Sequence, residues 1–277
     1  MRRILLLIGF LCFGVALSGQ PIISFYLDSG GEISRGRPFA SIEESHELLI
    51  KGASNAPVRV EKRFNSQGNI VYQRTKSRAG GTVSETKWEY IDGQKFARKH
   101  HRYFVNIIGW REDEVIITYC QNNHKPEKIE VKKEGKLFQY ATITTDSLNR
   151  IESVKVFLAN GPQIFTERLR YLHSNNMIRV FVYKANEQFY GSWAYPLDPT
   201  KEFHTESMNR VYYPNGDIKI ETLATTSKTE QAYYYEYEYD AQGNWIEKET
   251  YQVSLGRNNR IRNKKLEHRI TRTITYQ

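Results

Sequence analysis

Glu236, Glu238 and Asp240 occupy alternate positions in Tyr-Glu-Tyr-Glu-Tyr-Asp, residues 235–240. Alternate residues of a strand share a face, so the three carboxylates are expected to form one row. Two carboxyl groups about 5–10 Å apart can hydrolyse a glycoside. An acidic, solvated strand face produces the same row with no chemistry attached. His100 and His101 are adjacent, and on a strand they face opposite sides, so they cannot share a metal ion. Lys95, Arg98, Lys99 and Arg102 would repel a cation there, and the segment reads as a solvated basic face. His204 and Glu206 fall on one strand face, but zinc needs a third ligand. Cys120 ends the run Val-Ile-Ile-Thr-Tyr (115–119) and reads as a small buried hydrophobe rather than a nucleophile. No H-E-x-x-H, G-x-S-x-G, P-loop or dinucleotide-binding pattern occurs. No catalytic residue, metal or cofactor is therefore expected.

Two other groups of residues could bind rather than react. Arg257, Arg260, Arg262, Lys264 and Lys265 crowd residues 256–265, where Gly256, Asn258, Asn259 and Asn263 indicate a loop between strands. Such a loop concentrates positive potential and is a candidate surface for a lipid headgroup layer or an acidic glycan. Charge runs are also ordinary solvated connections. Trp88, Tyr90, Trp110, Trp193 and Trp245 lie in strand-like runs. Exposed, such rings stack on sugars; buried, they fill a core.

The elements that position these groups follow from pattern and composition. The chain has 277 residues and a net charge of +9, with 39% hydrophobic and 13% aromatic residues. That is too aromatic for a disordered chain, and two cysteines cannot build a disulfide framework. Residues 1–19 read as a secretory signal peptide. Arg2 and Arg3 precede an apolar run over 4–17, and Ala16-Leu17-Ser18 offers small residues to a peptidase. The run is shorter than the roughly 20 residues a membrane-spanning helix needs. Leu11 before Cys12 argues against lipidation. Export would leave Cys120 alone, so the fold must rest on its core.

Period-two alternation dominates the rest. Val58, Val60 and Phe64 alternate with Arg59, Glu61 and Arg63; Leu266, His268, Ile270, Ile274 and Tyr276 share a parity opposite Glu267, Arg269, Thr271, Thr273 and Thr275. These runs predict antiparallel strands with one packed and one wet face. Residues 41–51 read either as a short helix, from a capping box at Ser41–Glu44, or as a strand through Leu48-Leu49-Ile50. Residues 196–210, with Pro196 and Pro199, read as a longer loop.

The turns are related in sequence. Phe64-Asn-Ser-Gln-Gly-Asn-Ile70 aligns with Tyr239-Asp-Ala-Gln-Gly-Asn-Trp245. Residues 145–151 and 213–218 are looser copies at irregular spacing. Each is one hairpin unit, in which Gly or Asn accepts the positive φ of a tight loop. Tyr237-Glu-Tyr-Asp-Ala-Gln-Gly-Asn244 resembles the Rhs or YD repeat, roughly Y-x-Y-D-x-x-G-N, over residues 233–251. Tyr212-Tyr-Pro-Asn-Gly216 is similar to a MORN-type repeat as well. The YD resemblance implies hairpins rolled into an extended sheet or shell. It implies an exported or surface protein, of a group that includes toxin-delivery shells and carbohydrate-binding proteins. It implies no catalytic residues.

The expected architecture is all-β. Antiparallel hairpin or meander repeats over 57–277 would form an extended twisted sheet, or a partly rolled, barrel-like one. A short non-repeat segment, 20–56, would precede it. The expected function is an exported, non-enzymatic binding or structural module. A carboxylate-based glycan hydrolase is the alternative, and an accessory partner of a secretion or toxin system is a further one. The partner is expected to be a glycan, an anionic envelope surface or another envelope protein, and not nucleic acid.

Overall fold

The computed structural model describes residues 20–27, 34–50, 56–91, 95–120, 125–198, 210–222, 230–256 and 260–277. The expected signal peptide and most of the 196–210 loop lie outside them, as do His204 and Glu206. The architecture is all-β, a 17-stranded antiparallel meander sheet. Among the described residues, helix is confined to α1 (Ser24–Leu27) and a 3-10 turn at His173–Asn175. No helix among the described residues is long and apolar enough to cross a membrane.

The chain divides into two compact units. Of the described residues, the first comprises 20–27, 97–170 (apart from 121–124) and 180–193. It holds α1 and most of β5 (Lys95–Val105), β6 (Gly109–Tyr119), β7 (Pro126–Lys133), β8 (Lys136–Thr145), β9 (Ile151–Leu158), β10 (Gln163–Leu172), β11 (Met177–Lys184) and β12 (Phe189–Pro196). Its core is a ladder of directly opposed apolar residues: Ile117 faces Ile129, Ile129 faces Ala141, and Ala141 faces Val156. Opposed residues share a face, so alternation in four strands makes one buried stripe. Ile22 and Ile23 are buried too. Their N–H groups donate to the two oxygens of buried Glu167, at 2.6 and 3.0 Å. Burial pushes this carboxyl up to about 7, against the pull of those two donors.

The second unit comprises the described residues within 34–96, 171–179 and 194–277. It holds β1 (Phe39–Leu48), β2 (Val58–Phe64), β3 (Ile70–Lys76), β4 (Thr82–Ile91), β13 (Arg210–Tyr212), β14 (Ile218–Thr222), β15 (Glu230–Tyr239), β16 (Trp245–Leu255) and β17 (Ile261–Tyr276). Strand β1 settles the helix-or-strand alternative at 41–51. It pairs with β17 on one side and β2 on the other, so two ladders outweigh a local cap. It is therefore part of the sheet, not of a separate leading segment. Phe39, Ile42, Phe64 and Ile70 form one core cluster, with Trp88, Ile274 and Tyr276 against it. Ile220, Ala232, Val253 and Leu255 form another.

The turns share a backbone, not only a sequence. In each, residue i donates to the carbonyl of i+4, and i+3 donates back to i. The first residues are Asn65, Ser77, Asp146, Leu158, Lys184, Tyr213 and Asp240. The residue at i+3 has positive φ in all seven: Gly68, Gly80, Asn149, Gly161, Glu187, Gly216 and Gly243. This is the three-residue hairpin loop closed by a left-handed residue. At Asn65, Asp146 and Asp240 the side-chain oxygen also accepts two loop N–H groups.

Candidate functional site

The Tyr-Glu strand forms the expected hairpin, β15 with β16 across 240–244. Tyr235 is buried while Glu238 is exposed and Glu236 half-exposed, which is the orientation alternation requires. The register then does what one strand cannot show. Glu236 faces Glu249, and Glu238 faces Glu247. Opposed like charges destabilise a sheet unless cations intervene. Lys264 Nζ reaches Glu236 at 2.7 Å, and Arg269 bonds Glu249 at 2.6 Å and lies 3.5 Å from Glu247. The hydroxyl of Tyr251 and the Arg269 guanidinium hold the Glu249 carboxyl below its ordinary range.

Asp240 leaves the expected carboxylate row. A bulge between Glu238 and Tyr239 turns it into the loop, where it accepts the N–H groups of Gln242 and Asn244 and the hydroxyl of Tyr276. The row is therefore a square of four glutamates rather than a line of three acids.

Beside the square lies an open groove of about 630 Å³. Among the described residues β14 pairs with β15 at 232–234, and its ladder does not extend to residues 235–239. The β13–β14 turn folds against these residues: Tyr213 donates its hydroxyl to the Tyr235 carbonyl at 2.9 Å. The groove is lined by Tyr213, Pro214 and Asn215 of that turn, by Tyr234, Tyr237 and Tyr239 of β15, and by the four glutamates. The rings of Tyr237 and Tyr239 stack at 6.0 Å. Tyr239 is fixed by donating to Asp217 Oδ2 at 2.7 Å and accepting from Asn215 Nδ2 at 2.8 Å. Arg35 pairs with the same Asp217 oxygen at 3.0 Å and lies over the Tyr239 ring. Burial and neighbouring acidic groups push the Tyr213 and Tyr237 phenols upward, so both stay neutral donors.

The other face of these strands carries a buried polar network that sequence reasoning missed. The carboxylate of Glu44 meets Arg272 at 2.6 Å, Lys62 at 3.1 Å and His46 at 3.0 Å. Burial opposes its charge, but the His46 hydrogen bond and the charges of Lys62 and Arg272 prevail and hold the carboxyl far below normal. Arg272 lies over the Trp245 ring. His268, beside His46 at 5.6 Å between rings, is driven down to about 4 by burial, then by His46 and Lys248. Lys248 rests its ammonium on the Tyr235 ring at 4.6 Å, and burial lowers its pKa. The network binds strands together and stands apart from the groove; a second open groove, of about 610 Å³, lies on β2, β3 and β4 between Arg63, Tyr72, Glu85 and Trp88.

The remaining candidates separate. Arg257 lies outside the described residues. Arg260 is exposed in the connection to β17. Arg262, Lys264 and Lys265 are exposed but stand on β17, not in a loop, because the ladder with β16 continues through bulges to Ile261. Lys264 crosses to Glu236 and also lies 3.8 Å over the Tyr251 ring. His101 is buried and stacked on Tyr103, not part of a solvated basic face. His100 stands 3.6 Å from Glu112. Cys120 is half-buried, less enclosed than expected. Among the described residues no three His, Cys, Asp or Glu side chains are placed to share a metal ion.

No family model matches the sequence, and no curated protein does. Solved structures show distant likeness. A porin-like protein from Bacteroides uniformis shares 13% identity at a TM-score of 0.43, over 87% of this chain and 99% of its own. The Tc holotoxin pore of Photorhabdus luminescens shares 12% at 0.34, over 76% of this chain and 14% of its own. A β-barrel-like protein of a domain of unknown function from Brucella abortus shares 10% at 0.17, over 87% of this chain and 98% of its own. Similarity at this level carries no function across to this chain.

Proposed function

We propose that the chain is an exported, non-catalytic binding module of YD-like hairpins whose groove on β15 receives a carbohydrate. The observation that carries the reading is the groove itself: stacked, hydrogen-bonded tyrosines beside four glutamates. Pyranose rings present C–H faces that pack on aromatic rings, and hydroxyls that donate to carboxylates. The two cations among four carboxylates leave the groove acidic, which disfavours sulfated or carboxylated glycans. It also disfavours nucleic acid. The held-down Glu249 is a poor proton donor, so the square suits binding better than acid-catalysed cleavage. Export rests on the arginine-led apolar segment at residues 1–19.

The test is titration of the purified chain with neutral and amino-sugar oligosaccharides, with reducing ends assayed in parallel. Binding without release of reducing ends supports the proposal, provided Tyr239→Ala and Glu238→Gln each weaken it. Release of reducing ends that Glu236→Gln abolishes identifies a hydrolase instead. No binding to any oligosaccharide refutes the proposal.

A further inference from the structure

The second groove, on β2, β3 and β4, holds its aromatic rings in place. Tyr72 donates its hydroxyl to Glu85 at 3.1 Å. The Arg63 guanidinium, paired with Glu61 at 2.6 Å, lies 5.3 Å over the Tyr72 ring. Trp88, which packs against the core cluster of Phe39 and Ile42, lines the groove as well. Tyr72 and Trp88 are both half-buried, so each ring is anchored and still reachable. Arg63 and Lys87 balance Glu85 and Glu89 in the lining. An aromatic lining without net charge suits a neutral ligand with apolar faces and hydroxyls better than an ion.

Both grooves open on the same face of one sheet. Strands β13 to β17 and then β1 to β4 pair in unbroken order. Directly opposed residues share a face. Glu247, in the β15 groove, faces Thr271, and Thr271 faces Ser45. On the same side of the sheet Thr275 faces Ser41, Ser41 faces Arg63, and Arg63 faces Tyr72. Ile42 and Val60 alternate with these positions and are buried on the opposite face.

The strip between the grooves differs from both. On β17 and β1 it pairs Thr271 with Ser45, Thr273 with Glu43 and Thr275 with Ser41. Glu43 apart, these are short hydroxyl side chains. They keep the face low and offer hydrogen-bond donors and acceptors to a polyhydroxylated chain. Strands β16 and β3 stand four strand spacings apart across this strip, about 19 Å. A disaccharide is too short for that span, whereas a linear oligosaccharide of several sugars covers it.

We propose that the β2–β4 groove is a second subsite for the same glycan, so that one linear oligosaccharide crosses β17, β1 and β2 and stacks on Tyr72. The inference rests on the carbohydrate reading of the β15 groove. Its physical consequence is a threshold in ligand length. Once an oligosaccharide held at β15 reaches Tyr72, the second contact is intramolecular, and affinity steps up rather than rising evenly.

The test is titration of the purified chain with linear glucose and N-acetylglucosamine oligomers, from disaccharide to octasaccharide. Wild-type affinity should step up about tenfold when the oligomer spans both grooves, at one oligomer per chain. Tyr72→Ala should remove the step and leave disaccharide affinity unchanged, whereas Tyr239→Ala should weaken both. Hydrogen exchange in the wild type reads the same contact without a substitution. Octasaccharide should protect residues 70–74 and 85–89, and disaccharide should not. Disaccharide binding with no step and no protection at 70–74 overturns this inference and leaves the β15 groove standing. A step that survives in folded Tyr72→Ala, or two octasaccharides per chain, overturns it as well. No binding of any oligomer overturns the β15 reading and this inference with it.

Discussion

Replacing Glu44 with Gln removes one charge from the buried network of the second unit. Its partners Arg272, Lys62 and His46 have side chains only 7%, 14% and 13% exposed, so water cannot take over the missing role. Breaking a buried ion pair from one side costs about 3–5 kcal/mol, because the other charge is left uncompensated. Arg272 keeps its place over Trp245, which puts the expected loss near the lower bound, about 3 kcal/mol. For a protein whose total stability is of order 5–15 kcal/mol, that displaces a urea midpoint plainly. The pH dependence sharpens the test. The Glu44 carboxyl is depressed in the fold, so its stabilisation is complete above the ordinary value of 4.5 and is lost as pH falls through the folded pKa. Wild type and Glu44→Gln should therefore differ most near neutrality and converge in acid. A difference under about 0.5 kcal/mol at neutral pH, or one that grows on acidification, refutes the reasoning.

Glu167 has the opposite sign. Its carboxyl is raised to about 7 from 4.5, so the stabilisation is whole below pH 4.5 and disappears as pH rises through about 7. The urea midpoint of wild type relative to Glu167→Gln should fall between pH 5 and 8 (about 1–3 kcal/mol), and a constant difference would contradict this. Among the turns, Glu187→Gly should raise Tm and Gly243→Ala should lower it, each by the equivalent of about 1 kcal/mol, since φ is +61° and +81° there. A Cβ at Gly243 meets nothing closer than Arg35 Cβ at 4.0 Å, so equal Tm values would mean that the turn backbone itself adapts. We propose the exposed cations Arg260, Arg262, Lys264 and Lys265 as an anionic-partner surface, with Lys264 shared with Glu236. Changing all four to Ser should abolish salt-sensitive retention on a sulfated polysaccharide, and unchanged retention assigns the row to solvation alone.

Strand alternation and the Gly-Asn turns were legible because both are local. Tyr233 to Tyr239 could be oriented from parity alone, and the hairpin at Asp240 from its turn residues. Three turns of the same backbone shape escaped, at Ser77, Leu158 and Lys184, because hydrogen bonds between main-chain groups leave little mark on side-chain identity. At Lys184 the left-handed position is even a glutamate. The buried network escaped for a different reason. Glu44, Lys62 and Arg272 look like solvent-facing charges until strands β1, β2 and β17 bring them together from 18 and 228 residues away. The same holds for the glutamate square, whose second half comes from β16. Whether a charge is paired depends on register between strands, which parity within a strand cannot supply.

The carbohydrate groove is tested most directly by hydrogen–deuterium exchange with a bound oligosaccharide. Saturation should slow exchange in residues 213–217 and 235–249 and leave the β5–β6 tip at 104–110 unchanged. Protection confined to any other segment, or none at saturating ligand, would contradict the account.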